Sequence, residues 1–196
     1  MSKLYKILSL FAAIILLSSC SFFSDESDSE QAELGEDFSR SAEQIYEDAK
    51  ENLRSQRYET AVNLFQEVER LYPFSDLAPR SRVMTAYAHY KNEDYNKAID
   101  VIDNFITLNP GNEDIDFMYY LRAISYYDRI SDVERDQEIT RKAKESFDEL
   151  VRRFPKSKYS KDAEFKIDLI RDHLAGKEME IGRFYLEDKK YIAAIN

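Results

Sequence analysis

The chain has 196 residues, a formal net charge of −10, 34% charged and 43% hydrophobic residues, and only four Gly, four Pro, two His and one Cys. Average usage would give roughly 14 Gly and 10 Pro, so this scarcity of turn formers excludes an all-β sandwich or barrel and favours long helices. The negative charge excludes bulk attraction to nucleic acid or to an anionic membrane surface, and one Cys with two His excludes a disulfide framework or a Cys/His zinc site.

Residues 1–19 read as a lipoprotein signal peptide. Lys3 and Lys6 give a positive start, and residues 7–17 form an apolar-plus-small run broken only by Ser9. That run is shorter than the ~20 residues a membrane-spanning helix needs. It ends in Leu17-Ser18-Ser19-Cys20, which looks like a bacterial lipobox, whose Cys is lipidated and becomes the mature N-terminus. An ordinary secretory signal with a Cys near the cleavage site is the alternative. Ser21 rather than Asp follows Cys20, which by resemblance to sorting in Gram-negative bacteria points to the outer membrane. Several acyl chains anchor far more firmly than one. Residues 20–40 continue with seven acidic residues and a single basic one, Arg40; with so little to bury, this stretch is expected to be a disordered tether.

Residues 41–196 are a repeat. YETAVNLFQEVERLYP (58–73), YNKAIDVIDNFITLNP (95–110) and TRKAKESFDELVRRFP (140–155) align without gaps. Ala61, Ala98 and Ala143 fill one column, Phe65, Ile102 and Phe147 a second, and Val68, Phe105 and Leu150 a third; each segment closes with Pro twelve residues after its Ala. A fourth copy begins at Tyr191 and includes Ala194. Upstream of each segment another helix can be read, with Ala49, Ala86 and Gly182 at its small-residue position in repeats one, two and four, and Ala123 expected there in repeat three. Ser75, Asn112 and Ser157 follow the closing prolines and suit the N-cap of the next helix. Small residue, Ala, aromatic or aliphatic, then Pro is the tetratricopeptide (TPR) pattern, in which small residues allow close helix approach and Pro stops the helix. The fold class is therefore all-α, a TPR-like α-solenoid of about three and a half repeats.

Two irregularities stand out. Tyr126 lies 17 residues before Ala143, where repeats one and two have nine, so eight extra residues around 131–137 are expected to lengthen the turn between the helices. The first helix of repeat four is displaced by 14 residues, two heptads or about four helical turns. An in-phase extension would keep Ala163, Ile167, Ile170, Leu174, Ile181 and Tyr185 on nearly one face. The spacing predicts a single helix over about 160–186, and a break at Gly176 would overturn that.

In such a stack the first helices line the concave face, and positions between the packing ones point into the groove. By that register repeat one offers Tyr46, Lys50 and Leu53, repeat two Arg80, Val83, Tyr87 and Tyr90, and repeat three Phe117, Tyr120, Ile124 and Tyr127. Tyrosines and a Phe on one surface suit an extended peptide, since aromatics give contact area at low entropic cost. Tyr119 and Tyr126 fall at packing positions. For Tyr87, Tyr90, Tyr120 and Tyr127, groove and core both stand open.

The lipobox, the acidic tether and then LYPFSDLAPRSRVMTAYAHY, FITLNP, RDQEIT and LAGKEMEIGRFYL resemble the BamD (ComL) family, TPR lipoproteins of the β-barrel assembly (BAM) machinery. The resemblance covers Cys20 and nearly all of residues 41–196. It implies a scaffold that docks on a POTRA domain of a BamA-type barrel protein beside other BAM lipoproteins. It also implies that the amino-terminal groove receives the aromatic-ending C-terminal segment of unfolded β-barrel substrates. The family carries five repeats, so the resemblance implies a truncated chain with much of the docking surface beyond it. The rival reading is another cell-envelope TPR lipoprotein, serving peptidoglycan synthesis or secretin assembly; a lipid-anchored enzyme with its catalytic part further on is a third.

No catalytic residue, metal site or cofactor is expected. His89 sits at a packing position and His173 near the end of a charged stretch, each without a second ligand or a nucleophile at useful spacing. Gly176-Lys177 lacks the upstream Gly of a phosphate loop. The cluster Arg152, Arg153, Lys156, Lys158 and Lys161 fits either an acidic partner or a solvated repeat boundary.

Overall fold

The computed structural model describes residues 40–130 and 137–195. The expectations for the signal peptide, Cys20 and the tether, and for residues 131–136 of the insertion, lie outside them. From Ala42 onward the chain forms one unit. Its helices are α1 Ala42–Arg54, α2 Tyr58–Leu71, α3 Leu77–Lys91, α4 Tyr95–Leu108, α5 Ile115–Tyr127, α6 Gln137–Arg153, α7 Ser160–Glu187 and α8 Tyr191–Ile195. Among the described residues there is no strand. Each helix packs on the next in chain order, and the first helices α1, α3 and α5 also touch one another.

The three sequence columns form the core. Ala61, Ala98 and Ala143, then Phe65, Ile102 and Phe147, then Val68, Phe105 and Leu150 are all fully buried, as are Ala49, Ala86 and Ala123 in the first helices. The helices end where the prolines require. The residue before Pro is pushed out of the helical region, and Tyr72 and Asn109, ahead of Pro73 and Pro110, lie at φ near −130° and ψ near +50°. The expected cap residues instead close the turn ahead of the next helix: Ser75 Oγ accepts from Leu77 N at 3.2 Å, Asn112 Oδ1 from Asp114 N at 2.9 Å and Ser157 Oγ from Tyr159 N at 3.1 Å, while the N-cap positions fall to Asp76, Asp114 and Tyr159, none with a side-chain cap bond.

Within repeats one, two and four the turn is the same and uses no glycine. Gln56, Glu93 and Lys189 occupy left-handed backbone at φ 59°, 61° and 58°. Each turn pairs the same carbonyls, Glu93 N donating to Tyr90 O and Asp94 N to His89 O in repeat two, which is the Schellman arrangement of a helix end.

The described end of the insertion in repeat three is helical: α6 begins six residues before Ala143, whereas α2 and α4 begin three before their Ala. The added turn carries Glu138 at its start and a Glu138–Lys142 pair at 2.8 Å, both of which favour helix there.

The long helix is continuous as α7, with Gly176 inside it. Ala163, Ile167 and Ile170 are buried, Leu174 and Tyr185 half-buried, and Ile181 is exposed. Thus the one-face pattern persists while its cover ends after Leu174. Beyond that point α7 packs only on α8, where Gly182 faces the Ala194 carbonyl; a Cβ at residue 182 would stand 3.4 Å from that oxygen. Met179, Leu186 and Ile195 remain exposed and line a cavity of about 760 Å³ between the two helices, and Phe184 and Ile192 are exposed as well. No helix among the described residues is long and apolar enough to cross a membrane.

Candidate functional site: an aromatic ledge on the first helices

Eight rings from α3, α4, α5, α6 and the turn before α7 touch in series. Tyr95 meets Tyr90 (5.9 Å between centroids), Tyr90 meets Tyr87, and Tyr87 meets Phe117 (6.2 Å) across the repeat boundary. Phe117 meets Tyr159 (5.5 Å), which stacks on Tyr120 at 4.9 Å; Phe147 then links Tyr120 to Tyr127. Tyr46 lies apart, edge-on to Phe65 at 5.4 Å with Lys50 Nζ 5.3 Å from its ring. Helical spacing explains the row: Tyr87 and Tyr90, like Phe117 and Tyr120, are three residues apart and share a helix face.

Tyr87, Tyr90, Phe117, Tyr120 and Tyr127 are half-buried, with one side in the core and the other in solvent. Each of these rings thus packs on the core and keeps a solvent-facing part. Tyr46, Lys50 and Leu53 are half-buried too, and Arg80 is exposed and paired with Glu113 of the next repeat at 3.1 Å. Val83 and Ile124 correct the expectation. At 5% and 8% exposure they are core, not groove. An interior first helix is covered by its own second helix, by the preceding one and by the neighbouring first helices, so burial wraps further around α3 and α5 than one packing stripe allows. Tyr119 is buried as expected, between Phe154 and the guanidinium groups of Arg122 and Arg153, and Tyr126 is half-buried.

The polar tips of the ledge are already engaged. Tyr90 Oη donates to Asp128 at 2.6 Å and Tyr120 Oη to Asp162 at 2.8 Å, each reaching one repeat ahead. Burial first, and then these carboxylates, push both phenols well above the usual tyrosine pKa, so both stay protonated donors. The ledge consequently offers ring faces edged by negative charge, with Lys166 Nζ 4.8 Å from the Tyr127 ring as its nearby cation. Arg129 to Asn96 (2.9 Å) and Ser157 to Asp116 (2.7 Å) add further ties between repeats. His89 is buried beside Asp94 at 3.8 Å. No group of three metal-ligating side chains occurs among the described residues.

Repeated two-helix units with columnar Ala and aromatic cores, joined by Pro turns and carrying a side-chain ledge on the first helices, define a TPR-type α-solenoid. The outer membrane lipoprotein (YfiO) family model matches residues 39–196. The chain belongs to this family, and membership places it at the outer membrane. It is similar to outer membrane protein assembly factor BamD of Caulobacter vibrioides, 44% identical over 156 residues, covering 80% of this chain and 51% of that protein. The BamD proteins of Rickettsia prowazekii (44% identity, 74% and 57% coverage) and Neisseria meningitidis serogroup B (37%, 80% and 62%) are also similar. The chain thus spans about half to three fifths of the length of these relatives.

Proposed function

We propose that the chain is a lipid-anchored, non-enzymatic TPR scaffold of the BAM machinery that holds the C-terminal segment of unfolded β-barrel proteins on the aromatic ledge. The relatives' shared name, outer membrane protein assembly factor BamD, supports the assembly role. The observation that carries the binding role is the unbroken series of half-exposed rings across two repeat boundaries. Aromatic residues of an extended segment would stack on Tyr87, Phe117 and Tyr120, while Asp128 and Asp162 keep a terminal carboxylate away from the Tyr90 and Tyr120 tips. The exposed apolar surface of α7 and α8 supports docking at that end, on a POTRA domain of a BamA-type protein with other BAM lipoproteins nearby. Cys20 carries the lipid, residues 1–19 are removed, and residues 20–40 let the solenoid stand off the membrane.

The test is photo-crosslinking of the tagged full-length lipoprotein to a barrel-protein C-terminal peptide, with co-purified partners identified in the same preparation. Tyr87→Ala and Phe117→Ala are expected to lower peptide crosslinking severalfold and leave the BamA-type partner at near-equal amount. Undiminished crosslinking refutes the ledge; peptidoglycan enzymes or secretin subunits in place of that partner refute the assembly role.

A further inference from the structure

In the earlier first helices the residue eleven places after the closing Pro packs inward: Met84 against Ala49, Ala61 and Phe65, and Leu121 at 1% exposure. Helix α7 puts Lys166 at that place. Its side chain is only 18% exposed, and its ammonium sits 4.8 Å from the centre of the Tyr127 ring and 3.8 Å from Asp162 Oδ2. That oxygen already accepts the Tyr120 hydroxyl at 2.8 Å. Lys166 makes no hydrogen bond among the described residues. A largely buried ammonium with its donors unused is costly, and a Met or Leu, as in the earlier repeats, avoids that cost. Packing does not account for a lysine here.

The other cations at the ledge are engaged or solvated. Lys50 pairs with Glu47 at 2.6 Å, Arg80 with Glu113 at 3.1 Å, and Lys158, over the Tyr159 ring, is exposed.

We infer that Lys166 takes the terminal carboxylate of the segment held on the ledge, an inference that rests on the ledge being a peptide site. An ammonium has three donors and no acceptor, so Lys166 can bond a peptide C-terminus while still facing Asp162. A hydrogen bond between ionised partners is roughly twice as strong as a neutral one, and on a half-buried surface it is screened less than in open water. Elsewhere along the rings the carboxylates of Asp128 and Asp162, at the Tyr90 and Tyr120 tips, repel another carboxylate. Charge thereby fixes the direction of the segment. Its last residue lies against Tyr127, and the residues before it run back over Tyr120 and Phe117 to Tyr87. Internal stretches of an unfolded chain have no such carboxylate, so Lys166 distinguishes a chain end from the rest of the chain.

The test uses the purified full-length lipoprotein in detergent and a fluorescein-labelled peptide with apolar residues at alternate positions and a C-terminal Phe, made as the free acid and as the amide. Anisotropy titrations are expected to show the acid binding roughly tenfold more tightly, the low end for a hydrogen bond to a charged group. In Lys166→Met, which carries the side chain that repeat two has at this place, acid binding should fall to the level of the amide, and unchanged amide binding reports an intact ledge. Lys166→Arg should keep most of the difference, and Lys158→Gln all of it. Equal binding of the two peptides, a difference that survives in Lys166→Met or vanishes in Lys158→Gln, or loss of both peptides alike in Lys166→Met overturns the proposal and leaves the ledge standing. Tyr87→Ala should weaken both peptides alike; no binding of either peptide to the wild type overturns the ledge as well.

Discussion

Arg122 donates to Asp103 of α4 at 3.0 Å and to Glu149 of α6, and replacing it with Met isolates what the guanidinium contributes between these helices, because the aliphatic stem stays against the ring of Tyr119. Asp103 is about half exposed and regains water, so that bond weighs little. Glu149 is only a quarter exposed and keeps Arg153 at 2.7 Å as its remaining partner. One charge-assisted hydrogen bond at ~1.5–3 kcal/mol and a cation–π contact at ~0.5–1 kcal/mol give a predicted loss of about 2–4 kcal/mol. For a folded unit of this size that is a fall in Tm of roughly 4–16 °C. The loss has a definite pH dependence. Burial opposes ionisation of Glu149, but Arg153 and Arg122 outweigh it and hold its pKa below the usual glutamate value. A depressed folded pKa stabilises above the unfolded pKa of ~4.3 and ceases to do so as pH falls through the folded one. The gap between wild type and Arg122→Met, read from urea midpoints, should therefore narrow from pH 6 to pH 3. A gap under about 0.5 kcal/mol at pH 7, or one that widens on acidification, refutes the reasoning.

Glu93→Gly relieves a left-handed residue at φ 61° and should raise the urea midpoint by the equivalent of about 0.5–1 kcal/mol, while Glu93→Val lowers it. Gly176→Ala places a methyl in open space inside α7 and should slow amide exchange around residue 176 by several-fold, worth about 0.5–1 kcal/mol; Gly182→Ala should gain less, since its methyl meets the Ala194 carbonyl. His89 is held below its usual pKa chiefly by burial, with Asp94 partly offsetting it, so the unfolded chain takes up this proton first. Stability should decline as pH falls from about 7 to 5, and a His89→Gln variant, measured by the same denaturation series, should lose that part of the decline.

The repeat was legible because its determinants are local: Ala and aromatic columns at helical spacing, prolines at fixed distance and polar turn residues after them. The continuous α7 was legible for the same reason, since 14 residues preserve the helical phase. The three left-handed turns were hidden, as none carries Gly; their only trace is a pair of polar residues before Tyr58, Tyr95 and Tyr191. Val83 and Ile124 were misplaced because one helix's periodicity does not report how many neighbours cover it. The rings of the ledge could be found by register, but their ties to Asp128 and Asp162 join residues 38 and 42 apart, which no local pattern records.

At every junction between repeats, the one at Pro155 included, the chain turns a corner, so successive repeats meet only through side chains. Helix α7, the first helix of repeat four, is one backbone ladder about 42 Å long at 1.5 Å per residue, about twice the length of the other first helices. It is a rod with no joint in it. Its first turn carries Asp162, which holds the Tyr120 hydroxyl, and its far end carries the apolar surface beside α8. A torque applied at residues 179–186 is delivered as a tilt at the Tyr120 end, which makes the last repeat a lever arm resting on the aromatic ledge.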